Sequence, residues 1–249
     1  VGSEMCIRDS LNIVQNVALR AHKKIGGEPR SVAFFSLEMS KEQLVNRMLC
    51  AEANIDSQRL RIGEMGPNDW DSLWVACDAM SNAKIYIDDT AGITAMEMRS
   101  RARRLKVEHG LDLIVVDYLQ LMQSAGGKSS YNENRQQAVS DISRMLKIMA
   151  KELNVPVICL SQLNRAAVGR SDKRPMLNDL RDSGAIEQDA DVVIGLHREG
   201  YYDQESSDPY LAEAIVLKNR KGQTGTVYLQ WLPEFTSFGN RSAKTDDDY

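Results

Sequence analysis

Leu111-Asp112-Leu113-Ile114-Val115-Val116-Asp117-Tyr118-Leu119-Gln120-Leu121-Met122 is the stretch on which the reading of this chain turns. Leu113 to Val116 form an unbroken apolar run, too short for a helix and suited to a strand buried on both faces. The run ends on an acid, Asp117. A carboxylate at the carboxyl end of a central parallel strand lies where open α/β sheets bind ligands. Nucleoside triphosphatases hold their Mg²⁺-directing acid at that place. Taken alone, the pattern better describes an ordinary buried strand with an acid in its loop, so the flanking sequence has to decide.

Outward from that stretch the same grammar repeats. Ser31-Val32-Ala33-Phe34-Phe35-Ser36 reads as a buried strand that runs into Leu37-Glu38-Met39-Ser40, where Ser40 can cap a helix carrying Leu44, Arg47, Met48 and Ala51. Glu38 therefore sits at a strand's carboxyl end, as Asp117 does. Ile85 to Asp89, Val155 to Leu160 and Val192 to Leu196 read as further strands, the second of them leading into Ser161-Gln162-Leu163-Asn164-Arg165. Between them fall helical patterns: one over 64–83 with Trp70, Leu73, Trp74 and Cys77 as its apolar stripe, and one with Val139, Ile142, Met145, Leu146 and Met149. The alternation predicts an α/β fold: a mostly parallel twisted sheet flanked by helices, with all the parallel strands ending on one edge. Ala212 to Lys218 and Thr226 to Trp231 read as a C-terminal antiparallel strand pair joined by Lys221-Gly222-Gln223-Thr224-Gly225.

At the front, a helical pattern begins abruptly at Leu11 with Val14, Val17, Ala18 and Ala21, and Gly26-Gly27-Glu28-Pro29 ends it. Val1 to Ser10, VGSEMCIRDS, continue neither that period nor any turn pattern; they read as a non-native or disordered leader and are left out of the expected fold. The expected organisation is thus a leader over 1–10, one domain over 11–240, and a disordered acidic tail over 241–249.

Composition excludes several classes. Hydrophobic residues make up 43% and charged residues 27%, ordinary for a soluble globular protein, and no apolar run reaches membrane-spanning length. With 31 basic against 35 acidic residues the net charge is −4, which excludes a general polycationic nucleic-acid binder but leaves room for a local basic channel. Cys6, Cys50, Cys77 and Cys159 have no close spacing, so they suggest buried thiols in a reducing, cytoplasmic setting rather than a disulfide frame or zinc site. The basic helix with Arg99, Arg101, Arg103, Arg104 and Lys106 lacks interleaved aromatics and reads as a solvated face or subunit contact rather than a nucleic-acid surface. Gly126-Gly127-Lys128-Ser129 lacks the first glycine of a phosphate loop and follows no strand directly, so it is rejected as a Walker A motif.

The segments FFSLEMS (34–40), LIVVDYLQLM (113–122), NRQQAVSDISRMLK (134–147), PVICLSQLNR (156–165), DLRDSGAIEQDADVV (179–193) and KNRKGQTGTV (218–227) occur in the order and spacing of one family. Together they resemble the C-terminal RecA-like ATPase domain of the DnaB-type replicative DNA helicases, over Leu11 to about Asn240. The resemblance implies an ATP- and Mg²⁺-dependent motor that couples hydrolysis to movement on single-stranded DNA and to duplex unwinding. It implies Glu38 as the catalytic carboxylate that polarises the attacking water, Asp117 as the Walker B acid holding Mg²⁺ through water, and Gln162 as the residue that senses the γ-phosphate. Lys218 and Arg220 match a basic pair that reaches a neighbouring subunit's site, Arg220 as an arginine finger.

DNA contact is implied for two loops, Gln123 to Arg135 and Arg181-Asp182-Ser183-Gly184, with Gly184 allowing close backbone approach. For Arg181 the plain alternative is a salt bridge to Asp179 or Asp182; for Lys218 and Arg220 it is a charged hairpin edge that blocks aggregation. The family resemblance further implies a homo-hexamer, movement from 5′ to 3′, and primase and a helicase loader as partners of the full-length protein.

One departure qualifies this. The family carries its Walker A motif immediately before the helix that starts here near Leu11, where this sequence has VGSEMCIRDS. The expectation is a truncated chain, lacking the phosphate loop and inactive alone, from a parent protein that is a helicase. The alternatives are a catalytically inactive RecA-like module serving DNA binding or subunit interaction, and a recombinase-type ATPase of the same fold. The 179–191 segment favours the helicase type.

Overall fold

Strand residues alternate their side chains between the two faces of a sheet. In Val32–Ser36 (β1) and Leu113–Asp117 (β3), every residue is buried, because both faces are covered. Val32, Phe34, Leu113 and Val115 pack into one apolar cluster with Leu44 and Met48. Ala33, Phe35, Ile114 and Val116 pack into another with Met98, Ala102, Val139, Ile142, Leu146 and Met149. The apolar runs of the sequence are thus continuous because two cores, not one, claim alternate residues. The computed structural model describes residues 3–20, 29–122, 133–164, 170, 172–203 and 207–241. The ends expected at 26–28 and 242–249 and most of the loop from Gln123 to Arg135 lie outside those residues.

The parallel sheet has the order β2-β1-β3-β4, with β2 at Ile85–Asp88 and β4 at Val157–Cys159. Helices connect the strands. Lys41–Ala53 (α2), Ser57–Ile62 (α3) and Pro67–Ser81 (α4) lie between β1 and β2; Ala95–His109 (α5) lies between β2 and β3; Glu133–Leu153 (α6) lies between β3 and β4. Both α2 and α5 begin in reciprocal capping boxes, Ser40 with Gln43 and Thr94 with Glu97, as the sequence foretold for Ser40. A short 3₁₀ segment, Leu177–Ser183, leads into helix α7, Gly184–Asp189.

The C-terminal part differs from the expectation. Val192–His197 (β5) does not extend the parallel sheet. It pairs antiparallel with Leu211–Asn219 (β6), which continues to Gly225–Leu232 (β7) and Ser237–Asn240 (β8) in a second sheet of four strands. An apolar run alone does not reveal strand direction, which is why the fifth strand misled. Gly195 in β5 has a local cause: a Cβ there would lie 2.5 Å from Pro175 Cγ, so the segment before α7 packs directly on its backbone.

Two further expectations fail. The helix placed at Leu11 begins at Ser3 and runs to Gln15 (α1), followed by a π-helical stretch over Asn16–Arg20. Ile7 is 1% exposed and joins Leu11, Val14 and Ala18 in the cluster beneath β1 and β3. The stripe on α4 is covered only in part: Leu73 and Cys77 are half-buried, whereas Trp70 and Trp74 are 52% and 73% exposed, and Ala76 is the helix's buried residue. A helical period identifies the stripe without saying whether a neighbour covers it. The basic helix α5 behaves as a structural surface. Arg99 and Arg103 both pair with Glu152, Arg101 with Asp88 at 2.6 Å, and Arg104 with Glu108 at 2.8 Å.

The burial of Ile7 gives a direct test of the first segment. Ile7→Ala is expected to lower unfolding free energy by about 2–5 kcal/mol, the range for emptying a packed aliphatic site. Chemical denaturation of the 249-residue chain measures it. An unchanged midpoint would return residues 3–10 to the role of an inert leader.

Candidate active site at the carboxyl edge of the parallel sheet

β1 and β3 are adjacent and in register, so their carboxyl ends leave the sheet side by side. Ser36 lies opposite Asp117, and the Leu37 N–H donates to the Asp117 carbonyl at 2.7 Å. Beyond that bond β1 turns sharply. The buried Ser36 hydroxyl donates to the Met39 carbonyl at 2.7 Å and accepts from the Met39 N–H at 3.2 Å. This small ring holds Leu37 and Glu38 out from the sheet edge, and Glu38 is exposed there. Next door, Asp89, just past β2, accepts from the Lys41 N–H at 3.0 Å, so the start of α2 is tied to the same edge.

Asp117 is fully buried, and neither carboxylate oxygen has a hydrogen-bond partner among the described residues. Burial pushes its pKa up to about 7, the negative charge of Glu38 pushes in the same direction, and the Arg47 guanidinium partly opposes both. Each cause is local: β3 is covered on both faces, Glu38 emerges one strand away, and Arg47 sits on α2 directly after the Glu38 turn. Cys159, at the end of β4, is pushed up to about 12 by burial and by the Asp117 charge, so its thiol stays protonated beside the acid. The peptide bond joining Asp117 to Tyr118 is cis.

A buried carboxylate without donors is an incomplete group. A hydrated divalent cation would supply both what it lacks: positive charge, and water O–H groups that donate to the orphaned oxygens. Among the described residues no cluster of three or more His, Cys, Asp or Glu side chains could hold a metal by protein ligands alone. A cation here would therefore rest on Asp117, water and a ligand's own oxygens, the arrangement hard Mg²⁺ favours.

Gln162 reaches the same edge by a different route. Beyond β4, the Leu160 N–H donates to Val116 at 2.9 Å and the Leu119 N–H donates to Leu160 at 3.2 Å, carrying the β3–β4 pairing past its last ladder residue. Gln162 follows, exposed, with its main chain held by Gln120. The chain then crosses to the 3₁₀ segment, where the Asn164 N–H donates to the Asp179 carbonyl at 3.1 Å.

Lys218 and Arg220 stand elsewhere within the chain. They lie at the end of β6 in the second sheet, where Lys218 donates to the Glu187 carbonyl and Arg220 to the Gln188 carbonyl. Arg220 also approaches Asp191 at 3.5 Å. Cations at the last turn of α7 satisfy its final carbonyls, a use the sequence reading did not foresee. The structure thus gathers Glu38, Asp117 and Gln162 on one edge and leaves Lys218 and Arg220 on another element.

For the DNA-contact candidates, the side chains of Arg135, Arg181 and Asp182 lie outside the described residues, although their backbone does not. Gly184 opens α7 with an ordinary helical φ of −52°, and a Cβ there would meet no atom of the described residues within 4 Å. Asp179 is buried and its carboxylate is engaged by Arg170, at 2.7 and 2.8 Å, and by the Met176 N–H at 2.8 Å. Its partner is therefore Arg170, which the sequence reading did not single out. Arg47 was also missed as a site residue. Its signal was legible: an arginine within the Leu44–Met48 stripe of α2 must point toward something that tolerates a cation.

The parallel sheet flanked by helices, followed by a separate antiparallel sheet, defines the class, a RecA-like fold. The family described as DnaB-like helicase C terminal domain matches residues 9–240, and the chain belongs to it. It is 51% identical to the replicative DNA helicase DnaB of Geobacillus stearothermophilus over 238 residues, 96% of this chain and 50% of that protein. The same identity and coverage hold for the replicative DNA helicase DnaC of Bacillus subtilis (strain 168). Among solved structures, a chain described as an ATPase domain is 36% identical with a TM-score of 0.85, covering 94% of this chain and 81% of that one. A DnaB-like replicative helicase, solved in a study of its interactions with primase, matches with the same identity and TM-score over 55% of its chain. The chain spans about half the length of the curated relatives it matches. No helix among the described residues is long and apolar enough to cross a membrane.

The raised Asp117 pKa has a testable sign. An acid whose folded-state pKa lies above its unfolded value keeps a proton that unfolding releases, so its stabilising contribution is present at acid pH and is lost as pH rises through about 7. Relative to Asp117→Asn, the wild-type chain is expected to lose unfolding free energy from about pH 4 to about pH 7, and the variant to be the more stable above that. Denaturation curves for both proteins across that range check it. A difference that does not vary with pH would mean that Asp117 titrates as an ordinary exposed acid.

Proposed function

We propose that the parent protein is an ATP-dependent replicative DNA helicase and that this chain is its motor domain. The observation that carries the reading is the placement at adjacent strand ends of Glu38 and of the buried Asp117, whose carboxylate has no donor among the described residues. Asp117, together with water and the nucleotide's phosphate oxygens, would hold Mg²⁺, which when bound neutralises charge on the phosphates. Glu38, exposed beside it, is free to orient and polarise an attacking water. Gln162 senses the γ-phosphate from the neighbouring strand end, and Arg47 supplies positive charge to the same edge. Lys218 and Arg220 act in the site of the next subunit of a homo-hexamer. Their place at the end of β6 in the second sheet, apart from the parallel sheet that carries Glu38, supports that assignment. To do so they must exchange their carbonyl partners on α7 for phosphate oxygens.

Single-stranded DNA is taken by Arg135 and by the Arg181–Gly184 segment. The open space around Gly184 supports this, since nothing among the described residues requires a glycine there. Engagement of Asp179 by Arg170 favours a phosphate role for Arg181 over a salt bridge to Asp179. Primase and a loader are proposed partners of the full-length protein, which acts in the cytoplasm. No Gly-x-x-x-x-Gly-Lys-Ser/Thr occurs in the sequence, so this chain by itself is expected to hydrolyse ATP negligibly. The inactive RecA-like module remains the second reading for the isolated chain.

Catalysis across a subunit boundary can be tested by complementation. In the full-length protein, Arg220→Ala is expected to lose on the order of 10³-fold in turnover while retaining most ATP affinity, because a finger stabilises charge that develops in the transition state. Glu38→Gln should be comparably inactive. Mixing the two with subunit exchange should restore part of the DNA-stimulated hydrolysis. No recovery, with exchange verified independently, would put Arg220 outside the neighbour's site. Separately, Arg181→Ala should weaken single-strand binding and lower its salt slope by about one. An unchanged slope would remove Arg181 from phosphate contact.

A further inference from the structure

We infer that Gln120 is a positioning residue that sets the main chain of Gln162 against Asp117, and through it makes hydrolysis responsive to DNA; this rests on the γ-phosphate-sensing role proposed above for Gln162. Gln120 lies in the single 3₁₀ turn Leu119–Leu121 that follows Asp117 and opens the way to the 123–135 loop. Its side-chain amide crosses to the strand end after β4. Oε1 accepts from the Gln162 N–H at 3.4 Å, and Nε2 donates to the Gln162 carbonyl at 3.3 Å and to the Ser161 hydroxyl at 3.0 Å.

The geometry is that of a borrowed ladder. The β3–β4 backbone pairing ends at Val116 and Cys159, and two further backbone bonds carry it to Leu119 and Leu160. At Gln162 no strand remains to pair with, and the Gln120 amide takes the place of a peptide group. It meets both the N–H and the C=O of one residue, which only a group with a donor and an acceptor can do. The reversed amide would set NH₂ against N–H and oxygen against oxygen, so the backbone partners fix its orientation. With both main-chain groups of Gln162 engaged, the direction in which its exposed side chain leaves the edge is set relative to Asp117. Gln120 itself is anchored three residues after Asp117, in the segment that runs on to one proposed DNA loop. From Gln162 the chain continues to Asn164, whose N–H meets Asp179 beside the other. The two bonds to Gln162 are long and individually weak, and the one to Ser161 is of ordinary length. Their convergence on the adjacent residues Ser161 and Gln162 gives them consequence.

The test uses the full-length protein with Gln120→Leu, the near-isosteric Gln120→Glu, Gln162→Ala and the Gln120→Leu/Gln162→Ala double variant. Readouts are ATP turnover with and without single-stranded DNA, KM for ATP, and thermal midpoint. For both Gln120 variants, DNA-stimulated turnover is expected to fall about 10-fold, as for losing one to two net hydrogen bonds, with KM for ATP and DNA-free turnover changed less than about threefold. In the Gln162→Ala background, Gln120→Leu should cost nothing further, because a strut has no effect once the group it positions is gone. A multiplicative double variant, or Gln120 variants that retain DNA stimulation while Gln162→Ala abolishes it, overturns the inference and leaves Gln162 as sensor. If Gln162→Ala itself retains full stimulation, the sensor role falls and the strut falls with it. Gln120→Glu keeps the test decisive if the thermal midpoint shows that Gln120→Leu misfolds.

Discussion

Ser36 faces Asp117 across the β1–β3 ladder, and the N–H of Leu37 closes that ladder on the Asp117 carbonyl. Everything at the candidate site follows from this register. Shifting β1 by one residue against β3 would turn Val32 and Phe34 away from the core they share with Leu113 and Val115 and into the other. The two apolar clusters therefore enforce the pairing, and the pairing enforces the adjacency of two acids that lie far apart in sequence. The electrostatic cost of that adjacency appears in Asp117, whose proton is held to about pH 7 by burial first and by Glu38 second.

A site built this way is unfinished without positive charge. Arg47 provides some of it from α2, but Asp117 keeps two oxygens without donors among the described residues. Such a deficit is unusual for a group selected only for stability, since an apolar residue at the end of β3 would avoid it. Under the proposed function a cation and a nucleotide would complete the site, and the acid's ionisation would follow their binding. Cys159 fits the same pattern: it fills space beside Asp117 without competing for charge, because its own thiol stays protonated.

The parallel strands, the Ser40 cap and the carboxyl-edge acids were legible because each has a local signature: a run buried on both faces, a capping residue before a helical period, an acid after the run. The direction of β5 was not legible, because an apolar strand reads the same in either sense and its antiparallel partner β6 begins fourteen residues after it ends, at Leu211. The outward face of α4 was missed because Trp70 and Trp74 keep a perfect helical period whether or not a neighbour covers them. Arg47 carried a local signal, its place in the apolar stripe of α2, but nothing in the sequence named its partner, and Arg170 and Gln120 carried none. Each acts on a group remote in sequence, Asp117, Asp179 and Gln162 respectively, and no spacing rule links them. The resemblance to helicase segments located the acids and Gln162 but carried no account of what holds them in place.

The central claim is that Asp117 is a buried acid completed by a cation delivered with nucleotide. Isotope-edited infrared difference spectroscopy on the full-length protein, with labelled aspartate and Asp117→Asn as the assignment control, reads its ionisation directly. At a pH somewhat below 7, adding Mg²⁺ with a non-hydrolysable ATP analogue is predicted to remove a protonated carboxyl band and create a carboxylate band, both absent from the variant. A protonated band that survives saturating Mg²⁺ and nucleotide, or an Asp117 already ionised without them, would contradict the account.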